Sequence, residues 1–411
     1  MPGLASRGSV RRVHRRSFLG GSLAAIAATG LPGGAFAGGG DRIRIGLVGC
    51  GGRGTGAAIQ AAAADPGVVI TALGDLFADQ VEATSAILRD VLGQRFACDA
   101  ERCFAAADSG LQVIASDVDV VILATPPHLR PGHVAAAVRA GRHVFCETPT
   151  AVDAAGVRMI LATAAEARHR GLSFVSGFHS RHHPPTVATI GRILDGRIGR
   201  PLRGVAIGHV GLPWRRPPRP GSPPAEVIER NWISAERLSG GGFVEHHVHA
   251  IDRCIWAFGD EAPATAVAIP APAALPARPN VSEAKRIHYR FADGRALEAC
   301  LVRREGIDLR IEESLEATAG RADLRGRTVV GRDAWQADGD SSGGHAACIA
   351  SLIQALRSAG RIDDLETACR STMIAVMGRT AAETHGTVAW QDLWTSPADV
   401  LPLRPIQCEG V

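Results

Sequence analysis

Residues 43–54 read Ile-Arg-Ile-Gly-Leu-Val-Gly-Cys-Gly-Gly-Arg-Gly, an apolar run that passes directly into Gly49-x-Gly51-x-x-Gly54. An apolar strand feeding such a loop is the opening of a β-α-β nucleotide-binding unit. Gly49 permits the tight turn, Gly51 lets the backbone approach a pyrophosphate, and Gly54 lets the next helix pack on the sheet with its N-terminal N–H groups facing the phosphates. Three glycines carry little weight in a chain with 48 of them, so the context decides. Val68-Val69-Ile70-Thr71-Ala72-Leu73 is a β-branched run that reads as the second strand, and it ends at Gly74-Asp75, 26 residues after Gly49. A carboxylate there accepts from the adenosine ribose and repels a 2′-phosphate, which argues for NAD over NADP. Arg53 is a mild counterweight, since a guanidinium can meet that phosphate. Cys50, Gly52 and Arg53 complete the loop expected to touch the cofactor.

The following segments alternate in the same way. Val120-Val121-Ile122-Leu123-Ala124-Thr125 is a continuous apolar strand stopped by Pro126-Pro127, residues 132–140 read as an Ala-rich helix, and His143-Val144-Phe145-Cys146 as another strand. Residues 151–169 read as a helix, and Ser173–Phe178 as a fifth strand. Strands alternating with helices predict an α/β fold with a doubly wound parallel (Rossmann) sheet over residues 41–179. Beyond it the texture changes: a Pro/Arg/Gly loop at 212–224, an Ala/Pro-rich stretch at 261–280, antiparallel alternation at 285–315 and helix at 345–385. This predicts a second, α+β domain over residues 180–400.

Composition narrows the chemistry. With 46% apolar and 21% charged residues and a net charge of +4, nothing points to disorder or to nucleic acid. Of 45 basic residues only Lys285 is a lysine, and Tyr289 is the sole tyrosine. A mechanism needing either as acid or base has one position to use; Lys285, at the start of a strand, is expected to face water. The nine cysteines are scattered and form no C-x-x-C pair. At the N-terminus, Arg15-Arg16-Ser17-Phe18-Leu19-Gly20 precedes a Gly-rich apolar stretch and Ala35-Phe36-Ala37. Residues 1–37 read as a twin-arginine signal, too short and Gly-rich to span a membrane. The expected partner is the twin-arginine export machinery, and the expected location is periplasmic or extracytoplasmic after folding in the cytoplasm.

The chain resembles the glucose-fructose oxidoreductase and inositol dehydrogenase (Gfo/Idh/MocA) family. The matching pieces are Gly49–Gly54, Asp75, Thr125-Pro126-Pro127, Ala140–Pro149 with Glu147-Thr148-Pro149, Arg230-Asn231-Trp232, Gly240-Gly241-Gly242 leading to Glu245-x-x-x-His249-x-x-Asp252, Gly378-Arg379-x-Ala381 and Val388-x-Trp390. The resemblance implies a second domain built on a large, mostly antiparallel open sheet, a homo-oligomer, and oxidation or reduction of secondary alcohols and carbonyls of sugars, cyclitols and related polyols. It also implies that Thr125, Pro126, Pro127, Glu147 and Thr148 line the cofactor. Two departures stand out. The family's Glu-Lys-Pro is Glu147-Thr148-Pro149 here, and its Asp-x-x-x-His is Glu245-x-x-x-His249. The family's lysine hydrogen-bonds the reacting oxygen; Thr148 can donate a hydrogen bond but brings no charge, and a charge-assisted bond is worth about twice a neutral one.

If residues 243–257 are helical, Glu245, His249, Asp252 and Trp256 share one face. His249 is then the natural general base. Glu245 holds a substrate hydroxyl or orients the imidazole, and Asp252 can do the latter. Arg181 is either a replacement cation facing substrate or a solvated loop arginine, with His179 beside it. His246 and His247 lack a His-x-x-x-His pattern, so no metal site is expected. The sequence thus favours an exported NAD-dependent oxidoreductase with tightly held cofactor. A redox-neutral glycosidase or epimerase and a sugar-binding protein without turnover stand as alternatives.

Overall fold

The apolar run Ile43–Val48 forms β1, at the centre of a six-stranded sheet with only parallel pairings. With β2 (Val68–Asp75), β3 (Cys103–Ala105), β4 (Val120–Leu123), β5 (His143–Cys146) and β6 (Phe174–Ser176), the order across the sheet is β3-β2-β1-β4-β5-β6. The winding reverses between β1 and β4, so a crevice opens beyond their carboxyl ends. The computed structural model describes residues 42–270, 281–339 and 343–395; the expected signal at 1–37 and residues 396–400 lie outside them.

The expected five strands are all present. The sixth, β3, was not anticipated because Cys-Phe-Ala is three residues at a half-exposed edge, too short for a periodicity. The single helix expected over 151–169 is two, Ala154–Leu161 and Ala164–His169, the first capped by the Asp153 carboxylate accepting from Gly156 N at 2.8 Å.

The remaining strands form a nine-stranded sheet. They are β7 (Pro201–Val210), β8 (Thr265–Ala268), β9 (Val281–Arg290), β10 (Ala296–Arg304), β11 (Arg310–Ala317), β12 (Gly320–Asp323), β13 (Thr328–Val330), β14 (Ala334–Gln336) and β15 (Thr387–Ala389), in the order β14-β13-β12-β11-β7-β10-β9-β8-β15. All pairs are antiparallel except β7 with β10. Helices Val248–Ala257 and Leu365–Thr384 pack against this sheet. The division expected at residue 180 separates the strands but not the helices. Helix Gly344–Arg357 returns to the nucleotide sheet and buries Cys348, Ile349, Leu352, Ile353 and Leu356 in one cluster with Ile43, Ile45, Ala57 and Ala61.

The lone lysine does not face water. Lys285 Nζ donates to Glu283 at 2.9 Å and Glu236 at 3.4 Å, because Glu283 lies two residues earlier on the same face of β9. Tyr289 is fully buried, its hydroxyl donating to Ile374 O at 2.9 Å. Both are committed to structure, which leaves acid-base chemistry to histidine and carboxylate.

Helix Gly52–Ala64 follows β1, and Gly54 is where it crosses the strand's end. A Cβ at Gly54 would lie 2.0 Å from Gly49 O and 3.1 Å from Leu47 Cδ1. Gly54→Ala is expected to destabilise the fold by about 1–3 kcal/mol and to weaken NAD binding, read by thermal unfolding and calorimetric titration.

Candidate active site at the switch point

Gly49 turns the chain out of β1 with φ of +98°, and a Cβ there would lie 2.6 Å from the carbonyl carbon of Ala124 and 2.7 Å from Thr125 N. The loops after β1 and β4 therefore touch, and only glycine fits between them. By contrast, Gly51 and Gly52 face open space. The helix that begins at Gly52 has no capping side chain, so its first N–H groups remain open to an anion. Thr125-Pro126-Pro127 forms the opposite wall. Asp75 closes β2 with Oδ2 accepting from Cys50 N at 2.7 Å and Oδ1 from Phe77 N at 3.0 Å. Burial pushes its carboxyl up against those two donors, which pull it down. Each oxygen keeps a lone pair for a ribose hydroxyl. These features fit a dinucleotide. Arg53 is not at the adenosine end: it forms an ion pair with Glu147 at 2.7 Å and donates to Gln60 at 3.0 Å.

Thr148 follows β5, and its Oγ1 lies 3.2 Å from His249 Nε2. The sequence-predicted His249, Thr148 and His179 thus come together: the His179 ring is 5.3 Å from that of His249 and 4.1 Å from that of His345. His345 was not anticipated, since Gly343-Gly344-His345 is unremarkable in so glycine-rich a chain. A Cβ at Gly344 would lie 3.0 Å from His179 Nδ1, so that glycine lets the two histidines approach.

The helix expected over 243–257 breaks. It runs as Gly241–Glu245 and Val248–Ala257, because Gly242 O accepts from both His246 N and His247 N and the buried His247 ring turns to Ala206 O of β7 at 3.0 Å. Glu245 is therefore off the His249 face and meets Arg303 Nη2 at 3.4 Å. Asp252 does not orient His249 either. Its carboxylate accepts from Arg181 at 2.8–3.1 Å and from Ser371 Oγ at 2.7 Å, and Arg181 also donates to Asp260. Burial opposes the charge on Arg181 but the two carboxylates outweigh it. Arg181 and Asp252 form an interior ion pair, so the substrate roles considered for them fall away, along with Arg181 as a substitute for the family's lysine.

Beneath Thr148 sits Arg130, 4% exposed. It donates to Thr125 O at 2.9 Å, Glu147 O at 2.9 Å and Pro149 O at 2.5 Å, tying the ends of β4 and β5 together. At the adenosine end a loop from the second sheet reaches across. Arg230 Nη2 and Arg219 Nη2 lie 2.8 and 2.7 Å from the Asp79 carboxylate, and the Arg230 guanidinium sits 3.8 Å above the Phe77 ring. Leu76, Phe77, Ala105, Arg219 and Arg230 line a hollow there.

The histidines are held neutral. Burial, then His179 and Arg253, keep His249 well below its ordinary 6.5; burial also lowers His179 and His247 to about 3 and His133 to about 4. Glu245 moves up, burial outweighing Arg303 and Arg130. An unfolded chain binds these imidazole protons near pH 6.5 while the folded one resists to about pH 3–4, so the unfolded state holds more protons throughout that window. Stability is expected to be full above pH 6.5 and to fall steadily towards pH 4, measured as melting temperature against pH; a flat profile would contradict the buried, neutral assignment.

Comparison with known proteins agrees with this geometry. The family model GFO_IDH_MocA, described as "Oxidoreductase family, NAD-binding Rossmann fold", matches residues 43–174. Inositol 2-dehydrogenase of Rhizobium meliloti (strain 1021) is 30% identical over 147 residues, 36% of this chain and 38% of that protein. 1,5-Anhydro-D-fructose reductase of Ensifer adhaerens is 32% identical over 158 residues, 37% and 41% of the two chains. The matches thus span about two fifths of these relatives' lengths. Among solved structures, levoglucosan dehydrogenase in complex with NADH and levoglucosan aligns with a TM-score of 0.63 at 19% identity, covering 85% of this chain and 99% of that one. Aldose-aldose oxidoreductase from Caulobacter crescentus, complexed with glycerol, aligns with a TM-score of 0.61 at 17% identity over 85% and 99%. These two likenesses concern the fold, and both sheets are included in them. Residues 43–174, which carry the first sheet, match the NAD-binding Rossmann domain of the Gfo/Idh/MocA oxidoreductases, and the likeness of the remainder to the solved structures is one of fold.

Proposed function

We propose that the protein is an NAD-dependent oxidoreductase acting on a secondary alcohol or carbonyl of a sugar, cyclitol or related polyol, with His249 as general base. The observation that carries this reading is the 3.2 Å contact between His249 Nε2 and Thr148 Oγ1 at the carboxyl end of β5, beside a dinucleotide cradle. The named relatives act on inositol and on a sugar derivative. Gly49–Gly54 and Asp75 hold the dinucleotide, which when bound accepts hydride from the alcohol carbon. His249, kept neutral, takes the hydroxyl proton. Thr148 Oγ1 holds the hydrogen-bonding position at His249 Nε2 until the substrate hydroxyl takes it over to deliver its proton. Glu147, paired with Arg53, closes the wall below.

The test begins by denaturing the purified protein and identifying any released nucleotide by mass. Reduced-nicotinamide absorbance of the intact protein is then followed against free sugars, cyclitols and aryl glycosides. Bound NAD reduced by a sugar or polyol supports the dehydrogenase. Aglycone release without lasting absorbance change supports a redox-neutral glycosidase. That second reading draws on Thr148, which lacks the family lysine's charge, and on Glu245, whose raised carboxyl can keep a proton for a leaving group. A protein that binds sugar and is silent in both assays leaves recognition without turnover.

Export through the twin-arginine route belongs to the same proposal, resting on Arg15-Arg16 and the stretch behind them. So does assembly of copies through the open sheet. Outside the cytoplasm a dissociating cofactor is lost, so the nucleotide is held and recycled within one site. The Arg219 and Arg230 pairs with Asp79 supply a latch over the adenosine end.

His249→Ala is expected to lower kcat by about 10²–10⁴-fold. A base must be unprotonated, and this one is held well below 6.5, so the wild-type oxidation rate should stay level as pH falls through 6.5 and decline only in more acid solution. A midpoint near 6.5 in kcat/KM would count against His249. Asp79→Ala removes both latch pairs and is expected to speed loss of NAD on dialysis by roughly 3–10-fold, measured as nucleotide retained against time.

A further inference from the structure

The loop that leaves β7 carries the one tryptophan the fold does not cover. Trp214 is 45% exposed, with Leu212 beside it at 44%. The other five tryptophans are all more enclosed. Arg181 lies over Trp256 at 5.1 Å, Arg192 lies over Trp335 at 4.2 Å, and Trp390 and Trp394 pack on each other at 5.4 Å. Exposing so large a ring forgoes part of its burial, and apolar exposure that continues over neighbouring residues, as at Leu212 and Trp214, is what marks a binding surface.

Trp214 is also held in place. Its ring meets Trp232 edge-on at 6.4 Å and 75°, and the Arg216 guanidinium lies 5.3 Å from its centroid. The backbone beneath is pinned by buried Asn231, which accepts from Arg216 N at 2.7 Å and donates to Arg216 O at 3.1 Å and Val227 O at 2.9 Å.

Its position connects it to the reaction centre. The turn Trp232–Ser234 packs against Gly241–Glu245, the short helix that ends in Glu245. Val210, four residues before Trp214, lies opposite Arg303 in the β7–β10 register, and Arg303 faces Glu245. The aromatic pair therefore adjoins, through Trp232, the short helix that ends in Glu245.

We propose that Trp214, braced by Trp232 and Arg216, is a stacking platform for a second pyranose ring, so that the substrate class is a glycoside or oligosaccharide. The inference rests on the sugar reading of the site. A pyranose presents an apolar C–H face that lies on an indole, and ring hydroxyls that accept from an adjacent guanidinium; the rigid indole loses little entropy on binding. A lone monosaccharide oxidised beside His249 would leave the platform bare.

The experiment titrates the NAD-loaded, full-length protein with glucose, galactose, mannose and xylose, and with cellobiose, maltose, lactose, mannobiose and xylobiose, reading tryptophan fluorescence and nicotinamide absorbance in parallel. At least one disaccharide is expected to quench fluorescence at a concentration where its monosaccharides do not. Trp214→Ala is expected to abolish the quench and raise that disaccharide's Kd about tenfold, equivalent to about 1.4 kcal/mol. Trp335→Ala, on the far edge strand β14, is the control that keeps both. Equal affinity for monosaccharides and disaccharides, an unchanged Kd in Trp214→Ala, or a fluorescence change that follows protein concentration alone, as for a contact between copies, each overturns the platform. The two readouts separate the two ideas: a quench without turnover in the wild type defeats the oxidoreductase reading and keeps the platform, whereas turnover without a quench defeats the platform only.

Discussion

One buried guanidinium holds the reaction centre in register. Arg130 spends its donors on the carbonyls of Thr125, Glu147 and Pro149, the residues at which β4 and β5 give way to the cleft. Among the described residues no carboxylate is hydrogen-bonded to it; burial works against its charge and is offset only in part by backbone dipoles at the strand ends and by the more distant Glu147 and Glu245. Thr148 lies between two of those carbonyls along the chain, and its hydroxyl reaches His249 only because that segment is fixed from below. The geometry on which the proposed chemistry depends is thus set by a residue that does not touch the reacting atoms.

Thr148 stands where the resemblance places a lysine, and the charges around it are distributed accordingly. Arg53 is committed to Glu147, Arg303 to Glu245, Arg253 to Glu313, and Arg181 to Asp252 and Asp260. Cations are plentiful, yet apart from Arg130, which is held by backbone carbonyls, each of these is matched by an acid. What remains unpaired at the centre is a group of neutral imidazoles. Neutral imidazoles can accept protons, which is the property the proposed base requires.

How much of this was readable in advance follows from the range of the interactions. Gly49, Gly54 and the apolar runs of β1, β2 and β4 are local: each residue type answers to the backbone around it, and each was legible. Asp75 was legible because strand and loop place it at a fixed distance from Gly49. Arg53 and Arg181 were misplaced because a guanidinium's partner lies on another element, and charge alone does not name it. The break at His246-His247 was hidden because it is caused by Ala206, about forty residues earlier. His345 joined the site through packing of a helix whose own pattern is ordinary, and Arg130 through carbonyls, which have no letter in the sequence.

That same helix, Gly344–Arg357, has a mechanical consequence. It comes late in the chain, after the second sheet's strands β7–β14, but is welded by Cys348, Ile349, Leu352 and Ile353 into the core under β1. A hinge between the two sheets would have to tear that core or bend the chain on either side of the helix. The halves therefore behave as one stiff frame, and among the described residues the long irregular segment that reaches from β7 to the first sheet, through Arg219 and Asp79, is the loop of residues 211–223, so any gating of the cleft falls to it. Selection of what enters and what stays is then a property of a single span of chain, separable from the stability of the enclosure it guards.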